Sequence, residues 1–475
     1  MTKNSPTKLR RTQAGPKTGI VHLGLGAFFR AHGAIYIKEA MAQSGGDWGV
    51  VGVSLRSPAV RDQLVPQDCL YTAVEISEHE LNPQVIDVIT DVLVAPENPA
   101  AVLRVMTAEI TRIVSLTITE KGYCRGTGDA KLDLEHPDIV HDLTHALPRS
   151  AVGYIVRALD IRRKRGLRPF TVLSLDNLPE NGRLIQQIVT ELATHFDAEL
   201  AQWIKAECKF PSTMVDRIVP ATTKNMVTRL KSDACIHDPA VVIHEPFRQW
   251  VIEDQFVDSA KPDLEAVGAQ LVDDVEPFEH MKLRMLNGTH SALAYIGSLA
   301  GHVSVADAMN DAAIATFLED MWQSEIIPSL QAPEGTDLGQ YADALKRRYR
   351  NPEIRHLLEQ IAMDGSQKLP QRILDPLFEN LNAGRSYTKL LTVVAAWFRF
   401  LQSKTDGLKI NDPIASDLMA ALQTHSGDRQ LVADLLAISP VFGNYAIDPI
   451  SDDLLARFQA LDPQKIENSL NEVLS

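Results

Sequence analysis

The chain has 475 residues, of which 45% are hydrophobic and 23% charged, with a formal net charge of -14. That length allows about two to four domains with full cores. The acidic balance argues against nucleic acid or an anionic membrane as a partner and leaves small molecules as the expected ligands.

Four cysteines, Cys69, Cys124, Cys208 and Cys235, are scattered without a CxxC pair. That pattern predicts neither a metal site nor a disulfide framework and points to a reducing, cytoplasmic setting. The opening stretch MTKNSPTKLRRTQAGPKTG is polar and basic and lacks the apolar core of a signal peptide. Runs of about eighteen apolar residues do not occur, so no membrane span is expected.

Residues 20–23 read as a short buried strand, followed by Gly24, Gly26 and an amphipathic helix to about residue 43. Dinucleotide-binding units open in this way, because glycines let backbone approach a pyrophosphate at a helix N-terminus. Phe29 stands where the third glycine of G-x-G-x-x-G would be, so the motif is weak by itself. A second strand at 48–55, at the spacing of a βαβ unit, strengthens it. The tip of that strand reads SLRSPAVRD, with Arg56 where an NAD enzyme usually places a ribose-binding carboxylate and Asp62 as the nearest acid. Arg56 either accepts the 2′-phosphate of NADP or stacks over adenine.

Strand-like runs follow at 70–76, 85–94 and 113–119. The last ends in TITEKGY, polar residues at the sheet edge where open α/β folds bind ligands. Lys121 there either meets an anionic substrate group or is a solvated lysine. A strand at 170–175 leads through DNLPENG into a long helix expected over 183–208. Asn177 at that turn has the chemistry of a helix cap. In FPSTMVDRIVPATT, Asp216 and Arg217 stand side by side in apolar surroundings, a pattern that often marks a structural ion pair. Residues 241–243 and the segment EPFRQWVIEDQF close the α/β part.

From about residue 275 the periodicity turns helical, with helices expected at 307–330, 338–349, 352–362, 386–403, 413–425, 428–437 and 463–474. The predicted class is therefore α/β: an N-terminal Rossmann-like doubly wound domain over 1–274, then a mostly α-helical substrate and catalytic domain over 275–475. The active site is expected in the cleft between them. AMDGSQKLPQRI reads as a loop carrying Lys368 and Arg372, with Asp364 as its only acid.

The first segment of the helical part, MKLRMLNGTHSALAYIG, concentrates the chemistry. At about 100° per residue, Glu279 falls about 60°, His290 about 80° and Asn287 about 140° from Lys282. Leu286 and Leu293 lie about 40° and 20° away, so the lysine shares a half-apolar wall. Burial penalises the charged form, which suits Lys282 to act as a general base near neutral pH. The bland alternative is a solvated lysine beside an asparagine and a histidine that only satisfy backbone groups.

Taken together, HLGLGAFFRAH, LTITEKGY, DNLPENG, FPSTMVDRIVP, EPFRQWVIED and MKLRMLNGTHS resemble the long-chain mannitol dehydrogenase family. The likeness runs from Gly19 to past Arg372, and the family's Val-Asp-Arg-Ile-x-Pro signature is met at residues 215–220. The resemblance implies a zinc-independent, NAD-linked polyol or aldonate dehydrogenase, with NADP not excluded. It assigns Lys282 as general acid/base, Asn287 and Asn177 as holders of the developing alkoxide, and His290 and Asp216 as substrate-binding. Glu279, three residues before the lysine, is implied to relay protons to solvent. Gly24, Gly26, Ala27, Phe28, Arg30, Arg56 and Glu120 form the implied cofactor-binding set.

Within the family, GLGAF, TITEKGY, MKLRMLNGTH and AMDGSQKLPQR look closer to the fructuronate-reducing branch than to the mannitol-oxidising one. The latter tends to have asparagine in place of Ala27, glycine in place of Lys121 and arginine in place of Gln360. Phe29 and Gly33 depart from a frequent histidine and a frequent glutamine. The preferred substrate pair is D-fructuronate and D-mannonate, with the carboxylate held by Lys121, Lys368 or Arg372. Mannitol 2-dehydrogenase-type activity and tagaturonate reduction are the alternatives. A nucleotide sensor on the same scaffold would be expected to lose Lys282 or its amide partners. No nucleic-acid, membrane or metal partner is expected.

Overall fold

The computed structural model describes residues 9–77, 80–126, 131–354, 356–404, 410–424 and 427–474. By contacts the chain divides into two units, Met1–Glu276 and Pro277–Ser475.

Among the described residues, eleven strands lie in the first unit: β1 Thr18–Leu23, β2 Gly49–Ser54, β3 Tyr71–Ile76, β4 Leu81–Ile86, β5 Ile89–Val94, β6 Ile113–Leu116, β7 Thr171–Ser174, β8 Thr213–Asp216, β9 Val242–His244, β10 Gln249–Glu253 and β11 Gln270–Val272. Five of them form one sheet in the order β5-β2-β1-β6-β7, every pair parallel. This is the doubly wound order, and its reversal point lies between β1 and β6, where ligands bind in such sheets. β2, β6 and β7 are buried along their whole length. Burial on both faces explains why these strands read as apolar runs rather than as alternating patterns. Two three-stranded sheets, β4-β3-β9 and β11-β10-β8, complete the unit.

Several elements differ from the sequence expectation. The run 85–94 is two strands in two sheets, because β4 pairs antiparallel with β3 while β5 pairs parallel with β2. The strand expected to reach 119 stops at Leu116, and Thr119–Gly122 is a single helical turn. The first helix breaks at His32 into Ala27–Ala31 and Gly33–Ser44. The helix expected over 183–208 breaks at Asp197, whose extended backbone and carboxylate cap the second piece by accepting from the Glu199 N–H at 2.9 Å. The helices Pro99–Met106, Pro137–Thr144, Ala151–Lys164 and Lys224–Asp233 were not anticipated.

Among the described residues, the named elements of the second unit are all helices, joined by loops and one isolated bridge between Ser304 and Leu357. The unit's longest helix among the described residues, Thr388–Ser403, packs against Leu293–Gly297 and against Asp448–Ala460, a helix also not anticipated. Fully buried Glu325 closes its N-terminus, accepting from the backbone N–H groups of Lys389 and Leu390 and from Ser386 Oγ. The expected helix 307–330 is interrupted at Asp311, which caps Ala312–Met321 by accepting from the Ala313 N–H at 3.0 Å. Among the described residues of the run 352–362, Leu358–Ile361 alone is helical. Arg355 in that run, and His425 at the end of the run 413–425, lie outside the described residues.

The stretch expected as a loop around Lys368 is instead helical: Gly365–Leu369, a π turn at Pro370–Leu374, then Asp375–Asn382. A proline inside a helix removes one backbone bond and crowds the preceding turn, and the wider π register absorbs that defect. Among the described residues no helix is long and apolar enough to cross a membrane.

Candidate functional site

In the first unit the candidate residues begin at the turn after β1. Gly24 adopts φ +88°, and a Cβ there would lie 2.1 Å from the Thr117 carbonyl oxygen, so the fold itself demands glycine. Gly26 is different. A Cβ there would meet only the Gly24 oxygen, at 3.7 Å, so the protein leaves room that a side chain could occupy. Glycine at that position fits the close approach of a dinucleotide pyrophosphate to the backbone.

Phe29 replaces the motif's third glycine, and its ring stacks on His22 at 3.5 Å. A Cβ at Gly33 would come within 2.9 Å of that Phe29 ring. The missing glycine is therefore compensated one turn later, which accounts for both departures from the family pattern together. Ala27 and Phe28 are partly buried in the same segment. Arg30 is buried, with its Nε donating to the Gly26 carbonyl at 3.3 Å and Nη1 to the Ala240 carbonyl at 2.5 Å. Its guanidinium thus braces the turn from behind.

Arg56 is exposed just past the end of β2. Asp62, the nearest acid in sequence, lies on Ala59–Leu64 and pairs with Arg61 at 2.9 Å. Glu120 and Lys121 are exposed on the turn Thr119–Gly122. That turn is held by Asp176, whose carboxylate accepts from the N–H groups of Ile118 (3.1 Å) and Thr119 (2.9 Å) and from the Tyr123 hydroxyl (3.0 Å). Burial pushes the Asp176 carboxyl up, and those three donors oppose the shift. Thr119 has φ +64°, a conformation uncommon for a β-branched residue, so strain is concentrated at the first residue of the turn that carries Glu120 and Lys121.

Asn177 is exposed at the next position. The helix after it starts at Asn181, so Asn177 is not its cap. Asn181 is the buried residue that ties this turn to β8, donating to the carbonyls of Asp176 and Thr213 at 2.9 Å each. Asp216 ends β8 and is buried, as is Arg217. The Arg217 guanidinium donates to the carbonyls of Ala31 (2.8 Å), Phe247 (3.1 Å) and Pro246 (3.4 Å). Asp176, Asn181 and the bracing role of Arg30 were missed in the sequence, where they are indistinguishable from ordinary turn and helix residues.

A separate group of candidate residues lies in the helical unit. Glu279 is on Glu276–Met281, and Lys282 opens a π-helical segment, Lys282–Asn287, followed by Gly288–Ala292 and a second π segment, Leu293–Gly297. A uniform step of about 100° per residue therefore does not apply here, and the expected angular fan is corrected by the wider turns. Side chains serve the helix carbonyls: Thr289 Oγ1 donates to Met285 at 2.5 Å, the Tyr349 hydroxyl to Leu286 at 2.9 Å, and Arg372 Nη1 to Asn287 at 3.4 Å. π turns of this kind frequently mark functional sites. Gly288 admits the second basic segment, since a Cβ there would lie 3.0 Å from the Arg372 carbonyl oxygen.

Lys282 is buried at 9% exposure, and Asn287 is half-buried. His290 is buried too, and its Nε2 has no hydrogen-bond partner among the described residues. Its ring meets the edges of Tyr349 at 5.1 Å and His356 at 4.9 Å. Burial first, and then His356, Arg372, Arg348 and Lys282, hold the His290 pKa well below its ordinary value. Burial and these neighbouring cations favour the neutral imidazole. Lys368 Nζ donates to the carbonyls of Met363 (2.6 Å) and Ile361 (3.2 Å). Burial and the nearby Arg372 lower its pKa, while Asp364 and Asp412 oppose this. Burial likewise lowers that of Arg372.

Lys282, His290 and Arg372 thus come together in this unit. Arg348, Tyr349 and His356 join them without having been anticipated, because nothing in their spacing marks them. Among the described residues no group of three or more His, Cys, Asp or Glu is placed to hold a metal ion.

Comparison with known proteins extends this geometry. The profile of the mannitol dehydrogenase Rossmann domain matches residues 18–266, and that of the mannitol dehydrogenase C-terminal domain matches residues 274–459. The D-mannonate oxidoreductase of Escherichia coli (strain K12) is 42% identical over 465 residues, covering 96% of this chain and 95% of its own. A mannitol 2-dehydrogenase of Aspergillus fumigatus is 40% identical over 440 residues, covering 90% of this chain and 87% of its own. Among solved structures, the Pseudomonas fluorescens mannitol 2-dehydrogenase in ternary complex with NAD and D-mannitol aligns with a TM-score of 0.82 at 36% identity, covering 98% of this chain and 97% of that one. With both units matched and relatives spanning nearly its full length, the chain belongs to the mannitol dehydrogenase family.

Proposed function

We propose that this chain is a cytoplasmic, NAD-linked oxidoreductase that interconverts D-fructuronate and D-mannonate. The observation that carries the substrate assignment is a buried basic cluster in one unit: Lys282, Arg348 and His290 are buried, and Arg372 Nη1 reaches the Asn287 carbonyl and Ser291 Oγ. A site this cationic favours a substrate bearing a carboxylate over a neutral polyol. The 42% identity to a D-mannonate oxidoreductase supports the same choice.

When bound, NAD(H) supplies or accepts the hydride at the reacting carbon. Gly24 and Gly26 give its pyrophosphate backbone access, Arg30 steadies the turn, and Ala27, Phe28, Arg56 and Glu120 complete the cofactor's surroundings. Lys282 as ammonium gives its proton to the substrate oxygen in reduction, and as amine takes it back in oxidation. Such transfer contributes about a hundredfold or more in rate. Asn287 and Asn177 donate to the oxygen as charge develops, at about 3 kcal/mol for each well-aimed donor. Glu279 passes the proton between Lys282 and solvent. His290 and Asp216 bond substrate hydroxyls, and Arg372 and Lys368 hold the carboxylate, with Lys121 a further cation for that group.

The test is NADH oxidation with fructuronate, tagaturonate and fructose as acceptors. The highest kcat/KM is expected with fructuronate. Preference for fructose would assign the chain to polyol oxidation instead, and preference for tagaturonate would reverse the epimer assignment.

A further inference from the structure

Behind the glycine turn runs a hydrogen-bond chain that the proposed chemistry does not use. His22 is fully buried on β1, with Nδ1 2.9 Å from Ser115 Oγ and Nε2 3.0 Å from Thr117 Oγ1. Thr117 Oγ1 donates in turn to the Gly24 carbonyl at 2.8 Å. A hydroxyl has one proton to give, and that of Thr117 is committed to the carbonyl. Its oxygen must therefore accept from His22, so Nε2 carries the proton and Nδ1 accepts from Ser115. The chain Ser115, His22, Thr117, Gly24 has a single consistent direction.

Burial lowers the His22 pKa to about 3, overriding the Gly24 carbonyl that favours the charged form. The ring is thus neutral at any pH near 7, and Phe29, stacked on it at an interplanar angle of 14°, fixes its plane. The far end of the same peptide is also held, because the Leu25 N–H donates to the Val53 carbonyl at 3.2 Å. With both ends of the Gly24–Leu25 peptide fixed, the chain enters Gly26 on one course.

We infer that His22 is a positioning residue for the dinucleotide, acting through Thr117 to hold the Gly24 peptide in the orientation that presents Gly26 to the pyrophosphate. This rests on the reading of the turn as an NAD site. It adds that the site is set from the sheet interior by an oriented proton chain, not by glycine conformation alone.

The experiment is NADH fluorescence titration of the full chain and of Thr117→Val, Thr117→Ser, His22→Phe and the His22→Phe/Thr117→Val double variant, with thermal melting alongside. Loss of one oriented bond is expected to raise Kd about 5- to 10-fold in Thr117→Val and His22→Phe. Thr117→Ser, which keeps the hydroxyl, should stay near the unsubstituted protein. The double variant should be no worse than the weaker-binding single, because both remove the same chain. KM for NADH should rise in step with Kd while kcat holds within about twofold.

Unchanged Kd in folded variants, or effects that multiply in the double variant, would overturn the inference while leaving NAD binding intact. If the unsubstituted chain shows no NADH binding, the underlying reading fails instead. Should His22→Phe not fold, Ser115→Ala serves in its place: it frees the opposite tautomer and is expected to raise Kd, and an unchanged Kd counts against the inference.

Discussion

Replacing Arg372 with methionine gives the sharpest test of the carboxylate assignment. Methionine keeps an unbranched apolar stem and removes the guanidinium, its charge and its N–H donors together. In the structure Arg372 Nη1 makes two long bonds, 3.4 Å to the Asn287 carbonyl and 3.3 Å to Ser291 Oγ. A guanidinium has five N–H donors, so capacity for a carboxylate remains. A charge-assisted bond to substrate contributes about 1.5–3 kcal/mol, and each 1.4 kcal/mol is about tenfold in affinity. Arg372→Met should therefore lower kcat/KM for mannonate by about 10- to 150-fold and that for mannitol by no more than about threefold. The two long bonds lost are individually weak, and a cation held down by burial is removed. The melting temperature should accordingly stay level or rise. Lys368→Met is a rougher probe, because it strands the Ile361 and Met363 carbonyls that Lys368 now serves, at about 1–3 kcal/mol of stability. Steady-state NADH formation with each substrate reads the result. An equal loss for mannonate and mannitol would show that Arg372 does not read a carboxylate.

Three other outcomes follow from the geometry. Gly26→Ala should fold normally and raise Kd for NADH about tenfold or more, whereas Gly24→Ala should lower the melting temperature, since its Cβ has no room; equal behaviour of the two would refute the division of labour between them. Arg56→Ala should weaken NADPH use relative to NADH if Arg56 meets a 2′-phosphate, and an unchanged cofactor ratio in initial rates would assign it to stacking. Acid should destabilise the fold. The pKa of His22 is lowered by burial from 6.5 to about 3, and that of His244, by burial and the neighbouring Arg217, to about 4. Between the unfolded and folded values the unfolded chain binds more protons, so stability present above 6.5 is lost as pH falls. At about pH 4.5 each histidine costs about 2.5 kcal/mol relative to neutral pH. The raised carboxyls of Asp176 and Glu253 act in the opposite sense. Thermal melting of the unsubstituted protein and His244→Gln across this range should show a shallower decline in the variant; parallel curves would contradict the linkage.

The doubly wound core was legible because strands buried on both faces leave largely apolar runs without alternation, as in Gly49–Ser54 and Ile113–Leu116. Breaks within helices were not legible. Asp197 and Asp311 interrupt without proline or glycine, and an aspartate that caps a new helix looks the same in sequence as one on a solvated face. Pro370 misled in the other direction: a residue that ordinarily ends helices here sits at a π turn inside one. The π register around Lys282 was equally hidden, since it changes which carbonyl each N–H meets but not the residue types. Lys282, Asn287 and His290 could be singled out because they share one segment. Arg348, Tyr349 and His356 reach His290 only through tertiary packing, and no spacing rule joins them to it. Gly33 is the instructive intermediate: its meaning, space for the Phe29 ring, emerges only once both positions are considered together.

The most direct measurement is the turnover of Lys282→Ala set against its NADH affinity. The expected result is a loss of kcat of about a hundredfold or more, with the NADH Kd and melting temperature close to those of the unsubstituted protein. A variant that binds NADH normally and still turns over at an undiminished kcat would remove Lys282 from the proton transfer and with it the mechanism proposed for this chain.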